Sequence, residues 1–357
     1  MDKDYQVRNL LKILAEECQM SDSANQNAGN IDFVITWVDS TDPEWIADKA
    51  QYADTNVNNT NNVRYRNWDT LRYWFRGVEQ YAPWVHKVFF ITYGHLPRWL
   101  NVSNPKLKIV KHSDYIPEKY LPTFNSRVIE NHMHLISGLG DRFVYFNDDM
   151  FIIRKTLPTD FFKQGKPCDS FVLNALTGDW GGITDIQCHD VAVINKYFDK
   201  RDVLRKHWKK IFHPYNRGHN LRSIALLPWK HFTGFMDFHT AQSLLKSSVQ
   251  TVWNREPDLL ELSSKDRFRE NTGVNHWVFR YWQLVTGQFV PRDIRFSKFY
   301  YLQDDNREMI YDIRRNKHIK LICINDNDKI KNIENAYTQQ IEMFRNMFPE
   351  KSSFESE

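Results

Sequence analysis

The stretch that most limits what this chain can fold into is Arg142 to Phe151, which reads RFVYFNDDMF. Phe143 to Phe146 is an unbroken apolar run rich in aromatic and β-branched residues, the pattern of a short buried strand. It stops abruptly at Asn147, Asp148 and Asp149. Open α/β sheets bind ligands at the carboxyl ends of their strands, and adjacent carboxylates there repel unless a cation lies between them or one is protonated. A hard divalent ion, Mg2+ or Mn2+, sharing its shell with nucleotide phosphates resolves that conflict. A turn and helix cap explains Asn-Asp-Asp by local hydrogen bonds alone, and on this stretch by itself it is slightly the better account.

The arrangement recurs. Ile31 to Trp45 (IDFVITWVDSTDPEW) is a strand that delivers Trp37, Asp39 and Asp42 to a loop before Pro43. An aromatic can stack on a nucleobase and a carboxylate can hold ribose hydroxyls. Asp42 ahead of Pro43 also fits a helix N-cap and first helical position, and both readings hold together. Ile319 to Ile324 predicts another strand, ending in Asn325, Asp326 and Asn327. Asp326 completes a cation shell if that strand lies beside Asp148 and Asp149; otherwise it starts an Asx turn before the final helix. Val85–Thr92 and Leu107–Val110 predict two more strands. Asp69 is placed to cap a helix burying Leu71, Trp74, Phe75 and Val78, with Arg66 just ahead as a phosphate candidate. A helix over 126–137 would put Glu130 and His134, four apart, on one face. Strands alternating with helices at this interval imply a largely parallel sheet with crossover helices.

Outside this frame, Val7, Leu10, Leu11, Leu14 and Cys18 recur at helical spacing, Ser21 to Asn30 is a polar linker, and the Asn-rich run Thr55 to Asn62 fits a surface loop or lid. Ile333, Ala336, Ile341, Phe344 and Met347 form a stripe for a docking C-terminal helix. A chain of 357 residues, 41% hydrophobic, can bury a large core in one elaborated domain or two closely packed ones. A net charge of only +4 argues against a nucleic-acid partner. Four dispersed cysteines without a C-x-x-C pair fit reduced thiols in a cytoplasmic compartment. With no apolar signal core and no run of about 18 apolar residues, the expectation is a chain neither exported by a signal peptide nor membrane-spanning. The cluster Arg201, Arg205, Lys206, Lys209 and Lys210 fits a solvated helix face, or a peripheral contact with anionic head groups at the inner membrane face.

Three stretches, IDFVITWVDSTDPEW, RNWDTLRYWFRGVEQYAPWVHKVFFITYGHLPRWLN and LPTFNSRVIENHMHLISGLGDRFVYFNDDMF, together resemble the first two signature regions of the Stealth family of sugar-phosphate transferases. LLPWKHFTGFMDFHTAQSLLKSSVQTVW with RFRENTGVNHWVFRYW is similar to the third region, and KLICIND to the fourth, all in family order. The resemblance implies transfer of a hexose or N-acetylhexosamine 1-phosphate from a UDP-sugar to a hydroxyl of a lipid-linked or growing glycan, forming a phosphodiester in a capsular or exopolysaccharide and releasing UMP. It implies Asp148 and Asp149 at the metal and diphosphate, with Asp149 also catalytic and Asp326 completing the metal set. Trp37 and Asp39 would hold the UDP moiety, with Arg66, Arg127, Glu130 and Asn147 completing the substrate contacts. His239, ahead of a helix with Leu244, Leu245, Val249 and Val252 inward, would accept the acceptor proton. Arg269, with Arg267 as the fallback, would meet the phosphoryl charge.

The expected fold is α/β, a GT-A-like (Rossmann-type) nucleotide-sugar domain with a mostly parallel sheet and a helical C-terminal half completing the cleft. Its regions would be an N-terminal helix and linker (1–30), the nucleotide-sugar region (31–165), an acceptor-side insertion (166–230) and a C-terminal catalytic region (231–357). The competing functions are a conventional glycosyltransferase releasing UDP and an inactive sugar-nucleotide or glycan-binding protein.

Overall fold

The computed structural model describes residues 29–52, 66–179, 182–270 and 272–356. The expected N-terminal helix, most of the linker and the Asn-rich loop lie outside the described residues.

Eleven strands are described: β1 (Asp32–Thr36), β2 (Val88–Thr92), β3 (Leu107–Lys111), β4 (Arg142–Phe146), β5 (Met150–Ile152), β6 (Phe162–Lys163), β7 (Lys166–Asp169), β8 (Gln242–Leu245), β9 (Val290–Pro291), β10 (Ser297–Tyr301) and β11 (Leu321–Asn325). The main sheet runs β3-β2-β1-β4-β8, with smaller sheets β10-β11-β5 and β6-β7-β9. Strands β1 to β4 pair in parallel and β8 closes the edge antiparallel to β4. The α/β architecture with a mostly parallel sheet is therefore as expected.

Successive side chains of a strand point to opposite faces. Phe33, Ile35, Phe90, Val144 and Phe146 enter one core, while Val34, Phe89, Ile91, Phe143 and Tyr145 enter a second on the other side. Because both faces are covered, these strands are solid apolar runs instead of alternating ones. The first core is closed by the helices Leu71–Tyr81 and Ile333–Met347, where the Phe344 ring lies 5.4 Å from Tyr73 and 4.5 Å from Phe151. The second is closed by Trp277–Val285, a helix buried along its whole length. Among the described residues no helix is long and apolar enough to cross a membrane.

Three local expectations are corrected. Leu244 and Leu245 belong to β8, and the helix begins at Lys246, still with Val249 and Val252 inward. The open edge of β4 supplies hydrogen-bond partners that outweigh the helical pattern. The helix expected over 126–137 stops at Asn131, and a 3-10 turn, Met133–Leu135, follows. Glu130 and His134 accordingly do not form a ligand pair: His134 is buried beside Trp253, 5.5 Å between ring centroids, whereas Glu130 points toward His276. Asp69 does not cap the helix at Leu71; its φ is +49°, and Thr70 takes the cap position without a side-chain bond. Asp42 does cap the helix Pro43–Tyr52, accepting from the Trp45 N–H at 2.8 Å.

The chain leaves β1 for β2 and β3 on one side and returns to β4 on the other. The carboxyl ends of β1 and β4 thus lie side by side where the winding reverses, the usual ligand position in such sheets. Strand β11 pairs antiparallel with β5, Cys323 opposite Met150, which brings the late acidic turn to the same place.

Candidate active-site cleft

A cleft of about 560 Å3 opens at this reversal. Trp37, Arg66, Glu130, Asn147, Asp148, Asp149, His239, Arg269 and Asp326 all line it, although they are scattered from the end of the first strand to the end of the last. Asp39 and Arg127 do not. Asp39 Oδ1 is taken by the Thr41 N–H and hydroxyl at 2.9 and 2.7 Å, and its own N–H donates to His95 Nε2 at 2.7 Å. That backbone bond holds His95, whose ring packs edge-on against Trp37. Arg127 is buried and donates to the Glu270 carbonyl, bracing the segment that carries Arg269.

Asp149 sits at the floor. Its Oδ2 accepts from Cys323 Sγ at 3.2 Å and Asn325 Nδ2 at 3.3 Å, and its backbone carbonyl accepts from the Ile324 N–H. Oδ1 is buried and has no hydrogen-bond partner among the described residues. Burial raises the Asp149 pKa, the nearby His239 imidazole only partly offsetting this. Asp148, open to the cleft, is pushed up to about 7 by desolvation within the concave wall and by the Asp149 charge. The ligand-type atoms of Asp149, His239 and Cys323 lie within 4.8 Å of one another. Burial, with Asp149 beside it, pushes the Cys323 thiol well above its usual range, so it acts as a hydrogen-bond donor and not as a thiolate. An unpartnered buried carboxylate oxygen beside a second carboxylate suits a hard cation such as Mg2+ or Mn2+.

Asp326 is not beside Asp149. Its two oxygens accept from Arg66 Nη1 at 3.2 Å and Trp68 Nε1 at 2.9 Å, so the expected set of three acidic metal ligands is not assembled. Cys323 and Asn325, two apart on β11, face Asp149, and Asp326, just past the strand end, bonds Arg66 and Trp68 instead. Asp326 instead holds an Arg66–Trp68 pair at the rim, the guanidinium 5.5 Å over the indole.

His239 has φ +46°, the left-handed region that side-chain-bearing residues seldom adopt. The Asp237 carboxylate accepts the His239 N–H at 2.8 Å and holds that turn, while Phe299 packs edge-on against the ring at 5.2 Å. Backbone strain concentrates where a side chain must be aimed.

Arg269 Nη2 donates to Ser126 Oγ at 2.7 Å, leaving the rest of the guanidinium open to the cleft. Phe268 stacks on Phe124 at 5.3 Å, and Asn125 Nδ2 bonds the carbonyls of Asp266 and Phe268, fastening the segment. Arg267 is committed elsewhere, donating to the Pro122 carbonyl at 2.8 Å over the Tyr52 ring. Behind the wall, Glu130 Oε2 pairs with His276 Nδ1 at 2.6 Å and Oε1 accepts from Tyr145 OH at 3.0 Å. Tyr145 OH also lies 2.5 Å from Asn147 Oδ1, so the network reaches the acidic turn. Burial raises the Glu130 pKa, but His276 more than compensates, and the carboxyl stays below its ordinary value.

Cys323, Asn325, Trp68, Tyr145 and His276 were not among the site residues expected from the sequence. Only the two-residue spacing of Cys323 and Asn325 at a strand end gave any sign of them.

The family models for Stealth protein conserved region 1 and conserved region 2 match residues 29–57 and 64–169. The capsular polysaccharide phosphotransferase WcwK of Streptococcus pneumoniae is 41% identical over 333 residues, 92% of this chain and 99% of the relative. The exopolysaccharide phosphotransferase cps2G of Lactiplantibacillus plantarum is 42% identical over 330 residues, covering 91% and 96%. Likeness to solved structures is distant: the galactosyltransferase LgtC in complex with donor and acceptor sugar analogs has a TM-score of 0.38 and 9% identity, over 88% of this chain and 95% of that one. The protein is a transferase of the phosphotransferase class. It belongs to the Stealth family.

Proposed function

We propose that the protein transfers a hexose or N-acetylhexosamine 1-phosphate from a UDP-sugar to a sugar hydroxyl of a lipid-linked or growing glycan, making a phosphodiester of a capsular or exopolysaccharide and releasing UMP. The observation that carries this reading is the convergence of Asp149, His239 and Arg269 on one cleft from the two halves of the chain. The names of the relatives, as capsular and exopolysaccharide phosphotransferases, support the chemistry and the acceptor class. The parallel sheet with its acidic reversal point supports a GT-A-like donor half.

In this reading Trp37 and the Arg66–Trp68 pair receive the nucleotide end. The acceptor oxygen attacks the phosphorus that bears the sugar, and His239 takes its proton. As that P–O bond forms, the bond to the nucleotide phosphate breaks and UMP leaves with the bridging oxygen; the sugar keeps its anomeric configuration. Arg269 presents a planar, permanently charged donor set to the phosphoryl oxygens, where charge shifts in the transition state. Asp148 and Asp149, with His239 adjacent, would hold a divalent cation, which when bound neutralises diphosphate charge.

The test is the nucleotide product. Purified protein with a panel of UDP-sugars and a glycan acceptor should release UMP, and phosphorus NMR of the product should show a phosphodiester. Release of UDP would establish glycosyl transfer instead. Unchanged activity in His239→Ala would remove the imidazole from the reaction.

A further inference from the structure

We propose that the helix His219–Ala225 and the turn after it form a docking face for an anionic phospholipid surface. From Lys200 to His231 the chain carries nine Lys and Arg against one acid, Asp202, a net of +8 where the whole chain has +4. The remainder is therefore net negative, and the positive charge is concentrated. Part of it is structural. Lys200 Nζ donates to the Leu226 and Trp229 carbonyls at 2.6 and 2.9 Å, and Lys210 Nζ to those of Gly287 and Phe289 at 2.7 Å each. Arg205 pairs with Asp202 at 2.6 Å and Arg217 with Asp293 at 2.9 Å. Among the described residues Arg201, Lys206, Lys209, Arg222 and Lys230 form no ion pair; Arg222 donates to the neutral Asn174 amide oxygen, and Lys209 lies over the ring of its neighbour Trp208.

The same segment exposes Leu221 at 73%, Trp229 at 55% and Ile224 at 51%. A single exposed apolar residue needs no explanation. With Leu227 also exposed, four large ones within nine residues, on a helix and the turn after it, form a patch. Leu221 and Ile224 are three apart and share one side of the helix. The Lys200 bonds draw the Trp229 turn against the start of the helix Lys200–Ile211, which sets Arg201 next to it. Asn195 exchanges two bonds with Phe232, at 2.9 and 2.8 Å, and fixes the chain just beyond Lys230. Exposed apolar side chains and an indole in a segment rich in free cations match a bilayer interface, with acyl chains beneath and phosphates around them. A second copy of the same face would meet it with like charge.

The assay is sedimentation of the full chain with phosphatidylglycerol vesicles or with pure phosphatidylcholine vesicles, no substrate present, so its outcome is independent of the reaction proposed above. Binding should favour phosphatidylglycerol at least tenfold and fall with added salt. Each Lys or Arg near such a surface contributes about fivefold, so Arg201→Gln/Lys206→Gln/Lys230→Gln should weaken binding on the order of a hundredfold. Leu221→Ser/Trp229→Ser should weaken it at least tenfold without changing turnover of a water-soluble donor and acceptor. Equal binding to both vesicle types, or parental binding by both variants, overturns the proposal. So does a change confined to the oligomeric state in size-exclusion chromatography, which would make the face a self-association surface. All five replaced side chains reach solvent, and circular dichroism of the variants keeps misfolding apart from loss of binding.

Discussion

Replacing Asp149 with asparagine separates a functional carboxylate from a structural one, because the two roles predict opposite signs for stability. An asparagine carbonyl oxygen can keep the Cys323 and Asn325 bonds that Oδ2 accepts, while the amide replaces the buried, unpartnered Oδ1. A buried amide without a partner also costs free energy, but less than a buried unpartnered charge, so the substitution recovers the difference, on the order of 1–3 kcal/mol. At about 2.1 cal/mol/K per residue, 357 residues translate 1 kcal/mol into roughly 1.3 °C. In metal-free buffer at pH 8 the variant should therefore melt about 1–4 °C above the parent. The pH dependence follows from linkage. Asp149's folded pKa is raised from its ordinary 3.8, so the folded parent holds its proton longer, and parental stability falls as pH rises from about 4 through the folded pKa. The advantage of the variant should accordingly grow with pH and vanish near pH 4. Mn2+ at a hundredfold excess over its dissociation constant should stabilise the parent by about 2.7 kcal/mol and the variant far less. Turnover should fall by about a hundredfold or more, the usual scale for losing one preorganised charge contact. Scanning fluorimetry at several pH values with product assays covers all of this. A variant less stable than the parent at pH 8, or one keeping a tenth of its activity, would refute the reasoning.

Arg269→Lys should lower kcat about a hundredfold at near-parental melting temperature, whereas Arg267→Lys, losing its Pro122 bond and Tyr52 contact, should mainly lower the melting temperature; steady-state kinetics with thermal melts tell them apart. Glu130→Ala strands buried His276 and Tyr145 and should cost about 3–5 kcal/mol in denaturant unfolding. Because the Glu130 pKa is held below 4.5, that increment is present above pH 4.5 and should shrink on acidification through the folded value. Gly273→Ala meets φ +72° and a Cβ only 2.0 Å from Ser263 Oγ, a hydroxyl pinned by the Leu259 carbonyl and the Val274 N–H; it should lose about 2 kcal/mol or more and turnover with it, which unchanged melting would contradict.

The parallel strands were legible because their apolar runs are local, and so was the placement of acids at strand ends. His239 and Arg269 were legible only through their signature regions, since a lone histidine or arginine carries no positional information. The corrections share one cause. Whether Leu244 sits in a strand depends on the open edge of β4, about a hundred residues earlier. Which way Asp326 points depends on the register of β11 against β5. Asp39 and Arg127 were in the right neighbourhood, yet neither lines the cleft: a turn hydroxyl holds Asp39 Oδ1 and a backbone carbonyl holds Arg127 Nη1.

By itself the sequence determined which segments are buried strands and that carboxylates stand at their mouths, because those properties reside in the side-chain pattern of a few consecutive residues. Tertiary structure alone decided that Asp149 meets Cys323, Asn325 and His239 while Asp326 meets Arg66. Strand pairing and its two-residue alternation select those partners, and no local pattern encodes a contact made across about ninety residues or more.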